Sequence, residues 1–554
     1  MDVGELLDYK PPQTPKRPAD GEGGEPDREK ARKMRKIARA KAQQMVKPSS
    51  PTPSMQNIDE LTEEEKAEIV KYVETENTEG DVMDPTSIKK IVLNFEKRSL
   101  KNREMRIKFP DHPEKFMDSE LELHETLQEM RLLATAPDHY PLVVKLQVVP
   151  SLLELLAHDN TDIAVATIEL MQELTDVDIL NESEEGADAL IEALLEHQVI
   201  ALLVQNLERL DENVKEEADG VHNTLSIIEN LTELRSEICS EAGKQGLLQW
   251  LLKRLRVKTP FDQNKLYVSE MLSIILQDNE SNRTLLGELE GIDTLLQQLA
   301  FYKRHDPSSA EEHEFMENLF NCLCSCLLVI ANREKFLKGE GLQLMNLMLR
   351  EKKTSRNGSL KVLDYAMSGV HGKDNCNKFV DILGLRTIFP LFMKTPKKNR
   401  KKVQSAEEHE EHVCSIIASM LRNCRGSQRQ RLITKFTEND HEKVDRLLEL
   451  HFKYLEKVED LDDAVDDNED EDYLRRLEGG LFTLQLVDYI ILEVCAGGPP
   501  TIKQRVMQIL NLRGASLKTI RHIMREYAGN LGEEGEKEWR DQEQQHILNL
   551  VDKF

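Results

Sequence analysis

The groups in this sequence that could do chemistry are few, and their spacing suits none of the familiar reactions. Cys322, Cys324 and Cys326 stand together in the run CLCSC. On a helix Cys322 and Cys326 share a face while Cys324 points elsewhere, and no second Cys or His pair with zinc spacing completes a set. The run therefore predicts small buried core residues. In EEHEEH, Glu407 to His412, the histidines stand three apart and lack the His-Glu-x-x-His spacing of a metalloprotease, so the stretch predicts a solvated acidic helix end. No phosphate-cradling Gly loop, dinucleotide fingerprint or Gly-x-Ser-x-Gly elbow occurs. We nominate no catalytic residue, no metal and no cofactor, and expect the protein not to be an enzyme.

Charge is the more informative chemistry. Lys16 and Arg17 are followed, after twelve residues, by KARKMRK, which supplies Lys30, Arg32, Lys33, Arg35 and Lys36. A basic pair set ten to twelve residues from a basic cluster is the layout of a bipartite nuclear-import signal, read by acidic pockets on an import adaptor. The plainer alternatives are a solvated basic helix or a weak RNA contact. A second cluster, KTPKKNRKK (Lys394 to Lys402), holds six basic residues and reads as a solvated loop between helices. No aromatic residue interleaves it, so stacking on bases is unsupported. The alternatives there are a phosphate-binding patch or a second import signal.

These clusters sit on an acidic body. The 554 residues carry a formal net charge of −27, yet residues 1–50 are net positive, with 12 Lys+Arg against 8 Asp+Glu. Such a balance disfavours broad binding to nucleic acid or anionic membranes and favours basic partners. Hydrophobic residues make up 39%, charged residues 32% and aromatics 5%, a helix-favouring composition with solvated faces. The chain is too long for one compact core and long enough for an extended array. We find no apolar run of about 18 residues that would span a bilayer, and the first residues lack the layout of a secretory signal. Eight scattered cysteines without a CxxC pair predict a reducing, intracellular compartment.

Residues 1–57 are rich in Pro, Gly, Ser and charge and predict a disordered head, apart from the helix-prone basic stretch Arg28 to Lys47. DPTSIKKIVLNFEKR then reads as a helix start, with Asp84 as N-cap, Pro85 in the first turn and Ile88, Ile91 and Phe95 on one face. Beyond it the chain repeats itself. Asn282, Asn332 and Asn375 are each followed by an apolar residue at +4 (Leu286, Phe336, Phe379) and a glycine at +9 (Gly291, Gly341, Gly384). An apolar helix follows each glycine: Ile292, Leu295, Leu296, Leu299; Leu342, Met345, Leu349; Leu385, Ile388, Phe389, Phe392. Looser copies of that helix occur near residues 149, 200 and 248, and the starts at 148, 199, 247, 291, 341 and 384 are separated by 51, 48, 44, 50 and 43 residues.

That period, with helices and no convincing strands, is close to the armadillo and HEAT units. One unit cannot hide its apolar face alone; stacked units hide it for one another. The glycine is expected to end the short helix in a left-handed conformation and let the next turn away. The predicted fold is all-α, an armadillo/HEAT-type right-handed superhelical solenoid. We expect a head over 1–57, an N-terminal helical cap over 58–140, repeats over 141–437, and an acidic loop with a C-terminal helical cap over 438–554. Ten acidic residues in EDLDDAVDDNEDED (Glu459 to Asp472) predict a solvated loop, and amphipathic helices follow from YLRRLEGG onward.

The corner just described resembles the armadillo repeats of β-catenin and of the nuclear-import adaptors. Longer strings, among them FEKRSLKNREMRIKFPDHPEKFMDSE, VQNLERLDENVKEEADGVHNTLSIIEN and REKFLKGEGLQLMNLMLREKK, resemble the β-catenin-like family from about Asp84 to Phe554. The resemblance implies a nuclear armadillo scaffold associated with the spliceosome. Members of that family accompany the pre-mRNA-processing nineteen complex, bind the Myb-like cell division cycle five-like splicing protein, recognise basic nuclear-localisation segments, and have been linked to the cytidine deaminase of antibody diversification.

In armadillo arrays the last helix of each unit lines an inner groove, and here the resemblance makes IAVATIELMQELTD (Ile163 to Asp176) and VKEEADGVHNTLSIIENLTEL (Val214 to Leu234) such helices. Asn230 falls where the family pattern has a groove asparagine that clamps the backbone of an extended peptide, and Glu173 takes the equivalent place one repeat earlier. Glu169, Glu229 and Glu233 could add carboxylates suited to Lys and Arg; the bland reading of each is a solvated helical face. Only two tryptophans occur, Trp250 and Trp539, so the regular Trp/Asn ladder of import adaptors is missing. A cargo adaptor for nuclear import and an RNA-contacting splicing accessory are the alternatives to a scaffold. Import adaptors are expected partners of the head, and self-association into a homo-oligomer is open.

Overall fold

The computed structural model describes residues 83–351, 353–395, 406–462, 469–531 and 537–554. The basic import-type segment, Lys16 to Lys36, and most of Lys394 to Lys402 lie outside them, as does the expected head. Among the described residues every regular element is a helix, with short 3-10 turns between and one π-helical turn, Leu477–Leu481. They fall into two compact units, one ending at Leu234 and the other running from Arg235 to Phe554.

In the first unit the helices are α1 (Pro85–Lys108), α2 (Met117–Met130), α3 (Tyr140–Lys145), α4 (Val148–Leu155), α5 (Thr161–Leu174), α6 (Val177–Leu180), α7 (Glu184–Glu196), α8 (Val199–Leu207) and α9 (Lys215–Leu234). The start of α1 is as the sequence predicts: Asp84 accepts from the Ser87 backbone N–H at 2.7 Å and Pro85 follows the cap. Its buried stripe is Ile88, Val92 and Phe95, whereas Ile91 is only half-buried. α1 packs on α2, and α2, α5 and α9 lie side by side as a ladder.

The second unit continues with α10 (Ile238–Lys244), α11 (Leu247–Arg256), α12 (Gln263–Leu276), α13 (Glu280–Glu288), α14 (Gly291–Ala300), α15 (Ala310–Cys326), α16 (Ile330–Lys338), α17 (Gly341–Glu351), α18 (Arg356–Met367), α19 (Lys373–Asp381), α20 (Leu385–Met393) and α21 (Ala406–Asn423). It closes with α22 (Gly426–Thr434), α23 (Glu442–Asp462), α24 (Glu469–Arg476), α25 (Phe482–Gly497), α26 (Pro500–Leu512), α27 (Leu517–Gly529) and α28 (Lys537–Lys553). Here too the long helices stack in order, α12 on α15, α15 on α18, α18 on α21 and α21 on α25.

The corner works differently from the expectation. The left-handed residue precedes the glycine: Glu290 (φ 59°), Glu340 (φ 58°) and Leu383 (φ 66°); at the looser copies Gln147, Gln198 and Gly246 take the same conformation directly ahead of the helix, with no glycine after them. The glycine itself opens the next helix or its cap, and its reason is steric. A Cβ on Gly291 would stand 2.4 Å from the Leu286 side chain, one on Gly341 2.2 Å from Phe336, and one on Gly384 2.5 Å from Phe379. The apolar residue at +4 lies across the corner, against a backbone that only glycine leaves bare.

The asparagine is the clasp. Asn282 Nδ2 donates to Ile275 O, at the end of α12, and to Cys239 O of α10, both at 2.8 Å. Asn332 Nδ2 donates to Cys326 O at 3.1 Å and Arg283 O at 2.8 Å, and Asn375 Nδ2 to Ala366 O at 3.0 Å. Carbonyls left without partners at the end of a ladder helix are satisfied, and Asn282 and Asn332 also tie their repeat to the one before.

The C-terminal region departs from the sequence reading in three ways. The acidic stretch is helical at both ends, in α23 and α24, because helix propensity of Glu and Leu carries the flanking helices into it. α25 is not amphipathic: residues 483–494 are all buried. The segment Tyr473–Gly497 is also long and apolar enough to cross a membrane, against the expectation that no such run exists, but 72% of its most apolar 18-residue stretch is buried inside the fold, the mark of a core helix. Its polar residues are paired there. Asp488 Oδ1 stands 2.6 Å from His451 Nδ1, and Glu493 accepts from Arg429, Tyr489 and His546.

Candidate functional site

Glu169 and Glu173 are one turn apart on α5, and Glu229, Asn230 and Glu233 lie on α9, the helix packed beside it. Asn160 fixes the start of α5, accepting from the Asp162 backbone N–H at 3.0 Å. Residues 163–168, 170, 171 and 174 of α5 are buried, which leaves Glu169, Gln172 and Glu173 as its half-exposed polar edge near the C-terminal end. On α9, Glu229 and Asn230 are half-buried and Glu233 is exposed. The five expected groove residues are thus brought to neighbouring helices of one ladder.

The carboxylates there are already engaged. Arg131, just past the end of α2, donates from Nε to Glu173 Oε2 at 2.9 Å and from Nη2 to Glu173 Oε1. Its Nη1 reaches Gln128 Oε1 at 2.9 Å and stands 3.6 Å from Glu169. The pair with Glu173 raises the Arg131 pKa further, against the cost of burial, and Glu169 adds to it. Two parallel N–H···O bonds to one carboxylate are the strong, planar form of this interaction. Glu229 and Glu233 also have partners within the fold.

Sequence reasoning missed the corresponding polar contacts of the second unit. Asn318 Nδ2 on α15 donates to Ser269 Oγ on α12 at 3.2 Å, and Lys361 Nζ on α18 donates to Asn321 Oδ1 on α15 at 3.2 Å. Asp364 on α18 faces His412 Nδ1 on α21 at 2.9 Å and accepts from Ser415 Oγ, while Thr483 Oγ1 on α25 donates to Glu411 Oε2 at 3.4 Å. The signal was present: these are the polar residues interrupting otherwise apolar ladder helices. Burial, with Asp364 and Glu408 nearby, holds Glu411 above the ordinary carboxylate range, and burial does the same to Glu317.

The run EEHEEH is a solvated helix end only at Glu407 and Glu408. His409, Glu410 and His412 are all buried, because α21 is covered by α18, α20, α23 and α25 on its several sides. Glu410 accepts from Thr395, Arg446, Lys453 and Tyr454. Burial works against a charge on His412, but hydrogen bonding to Asp364 and Glu408 outweighs it and pushes the pKa up to about 9; burial first, then the nearby charges of Arg356 and His412, take His409 the other way, to about 4. Cys322 and Cys324 are buried, as expected, and their thiols are pushed up to about 12. Among the described residues no three His, Cys, Asp or Glu side chains are grouped to hold a metal ion.

With this geometry in view, the relatives are informative. A family model described as catenin-beta-like, Arm-motif containing nuclear matches residues 65–525. A rat protein named Beta-catenin-like protein 1 is 57% identical over 570 residues, covering 100% of each chain. A fission yeast (Schizosaccharomyces pombe) homolog of that name is 33% identical over 461 residues, 81% of this chain and 79% of its own. Among solved structures, SYS-1 superposes with a TM-score of 0.52 at 8% identity, covering 83% of this chain and 75% of its own, a likeness of fold alone. The chain belongs to the catenin-beta-like family, which is described as nuclear and built on the Arm motif.

Proposed function

We propose that this protein is a non-enzymatic armadillo scaffold of the nucleus that binds basic, nuclear-localisation-type segments of partner proteins on the ladder faces of its repeats. By family resemblance the partners are splicing proteins of the cell division cycle five-like type and the nineteen complex, and the role is support of pre-mRNA splicing. The observation that carries the reading is Arg131 seated between Glu169 and Glu173: the site accommodates a guanidinium with bidentate geometry. An arriving Lys or Arg would be drawn by the acidic body, then held by these carboxylates, with Asn230 on the peptide backbone. The basic head, with Lys16, Arg17 and Lys30 to Lys36, would deliver the chain to an import adaptor.

The test is fluorescence anisotropy with Lys/Arg-rich peptides over a salt series. Binding should weaken as salt rises and should drop for Glu173→Lys and Asn230→Ala. Affinity indifferent both to ionic strength and to these two changes would sink the groove.

A further inference from the structure

Helix α1 carries three large apolar side chains that its own unit leaves in solvent. Leu93 is 69% exposed, Leu100 57% and Ile107 74%. Single exposed leucines are ordinary, but these stand seven residues apart and so form one seam about 21 Å long on the helix surface. It is distinct from the buried stripe of Ile88, Val92, Phe95 and Asn102 that faces the rest of the unit. The same helix holds eight Lys and Arg residues against Glu96 and Glu104, in a protein of net charge −27. Four of the eight, Arg98, Lys101, Arg103 and Arg106, are engaged by groups of α2, α4 and the turn after it. Lys89, Lys90 and Lys97 are exposed on the same side of the helix as the seam.

What would cover an apolar seam edged with lysine is an acidic amphipathic helix, and the sequence just upstream, outside the described residues, has the composition and spacing of one. IDELTEEEKAEIVKYVETE, Ile58 to Glu76, holds eight acidic residues against Lys66 and Lys71, the inverse of α1. Thr62 and Glu65 have the spacing of a capping box. Leu61, Ile69, Tyr72 and Val73 recur on one helical face. Seven residues, including Gly80, separate Glu76 from the N-cap Asp84, a length usual for an antiparallel helix pair. A helix of about 14 residues is as long as the seam, and so short a tether gives the contact a high effective concentration.

We propose that the acidic segment Leu61–Glu76 folds back as an amphipathic helix onto the Leu93–Leu100–Ile107 seam of α1. It supplies the layer that the exposed side of α1 lacks and keeps that side from pairing with other proteins.

Hydrogen exchange on the full chain, read by mass spectrometry, tests this. Amides of residues 63–75 should exchange about tenfold or more slower than the free-peptide rate, at a level independent of protein concentration. Leu100→Asp, and separately Leu93→Asp, should return them to the free-peptide rate while α2 and α5 stay protected, which separates undocking from unfolding. Reversing Lys89 and Lys97 to Glu should quicken exchange in the same segment. Free-peptide rates in the unaltered chain, or protection that survives both Asp variants, would overturn the proposal. Protection that rises with protein concentration would also overturn it, naming a second copy as the occupant.

Discussion

Asn332 of one repeat and Gly287 of the repeat before it fit so closely that a Cβ on Gly287 would stand 1.8 Å from Asn332 Oδ1. Gly243 meets Asn282 in the same way, at 2.1 Å, so the contact recurs from one repeat to the next. The asparagine cannot retreat without giving up its bonds to Arg283 O and Cys326 O.

Replacing a glycine inside a helix by alanine ordinarily stabilises by about 1 kcal/mol. Gly287→Ala should instead destabilise by about 2 kcal/mol or more, from overpacking and lost hydrogen bonds. Denaturant unfolding of the single variants and of Gly287→Ala/Asn332→Ala checks this: the double variant should cost clearly less than the two singles combined. Additive losses would mean that the two side chains do not share the space.

The left-handed residue at Glu340 predicts the opposite sign for a change to glycine. A non-glycine residue at φ 58° bears a conformational cost of about 1 kcal/mol, which Gly246 avoids at the equivalent corner. Glu340→Gly should therefore raise stability by about 0.5 to 1 kcal/mol in thermal unfolding; a loss of stability would show that the Glu340 side chain contributes more than its backbone costs.

Arg131 should behave as an internal competitor. Under the groove reading, Arg131→Gln leaves Glu169 and Glu173 open to an incoming cation, so affinity for a Lys/Arg-rich peptide should rise about fivefold and its salt dependence steepen. Anisotropy titration with circular dichroism as a fold control reads the outcome. Unchanged or weaker binding would remove these two carboxylates from the site.

His412 gives the fold a pH dependence of definite sign. Its pKa is about 9 in the folded chain and near 6.5 unfolded. The folded state therefore holds the proton more tightly. The resulting stabilisation, about 3 to 4 kcal/mol at most, is complete below pH 6.5 and is lost as pH rises through 9. In His412→Asn the fall in stability between those values should shrink. A slope identical in the two proteins would assign the pH dependence to other groups.

The sequence displays the corners because Asn, an apolar residue and Gly keep fixed offsets within ten residues, so Asn282, Asn332 and Asn375 announce one another. It hides what each residue does there. That Glu290 takes the left-handed backbone, and that Gly291 makes room for Leu286, are facts of three-dimensional packing. The site is legible to a similar depth. Glu169 and Glu173 declare a common helix face by their spacing, but Arg131 stands 42 residues from Glu173 in the chain and Asp364 48 from His412. No local periodicity reports pairs at such range. His409 and His412 mislead for the same reason: charged neighbours in sequence suggest water, whereas the helices over α21 exclude it.

The paired carboxylates inside α25 bear on how the newly made chain finds its solvent. To any machinery that weighs length and apolarity, Tyr473–Gly497 reads as a span. In lipid, Asp488 and Glu493 would be charges without counterparts, costing several kcal/mol between them. In the folded protein they meet His451, Arg429 and His546. Two of these, His451 and Arg429, are synthesised before α25, so an acceptor for it exists as it emerges, whereas His546 arrives later. Two acidic residues thereby make a segment fit for a bilayer a better fit for its own protein, and a chain stopped short of α28 would leave that choice half made.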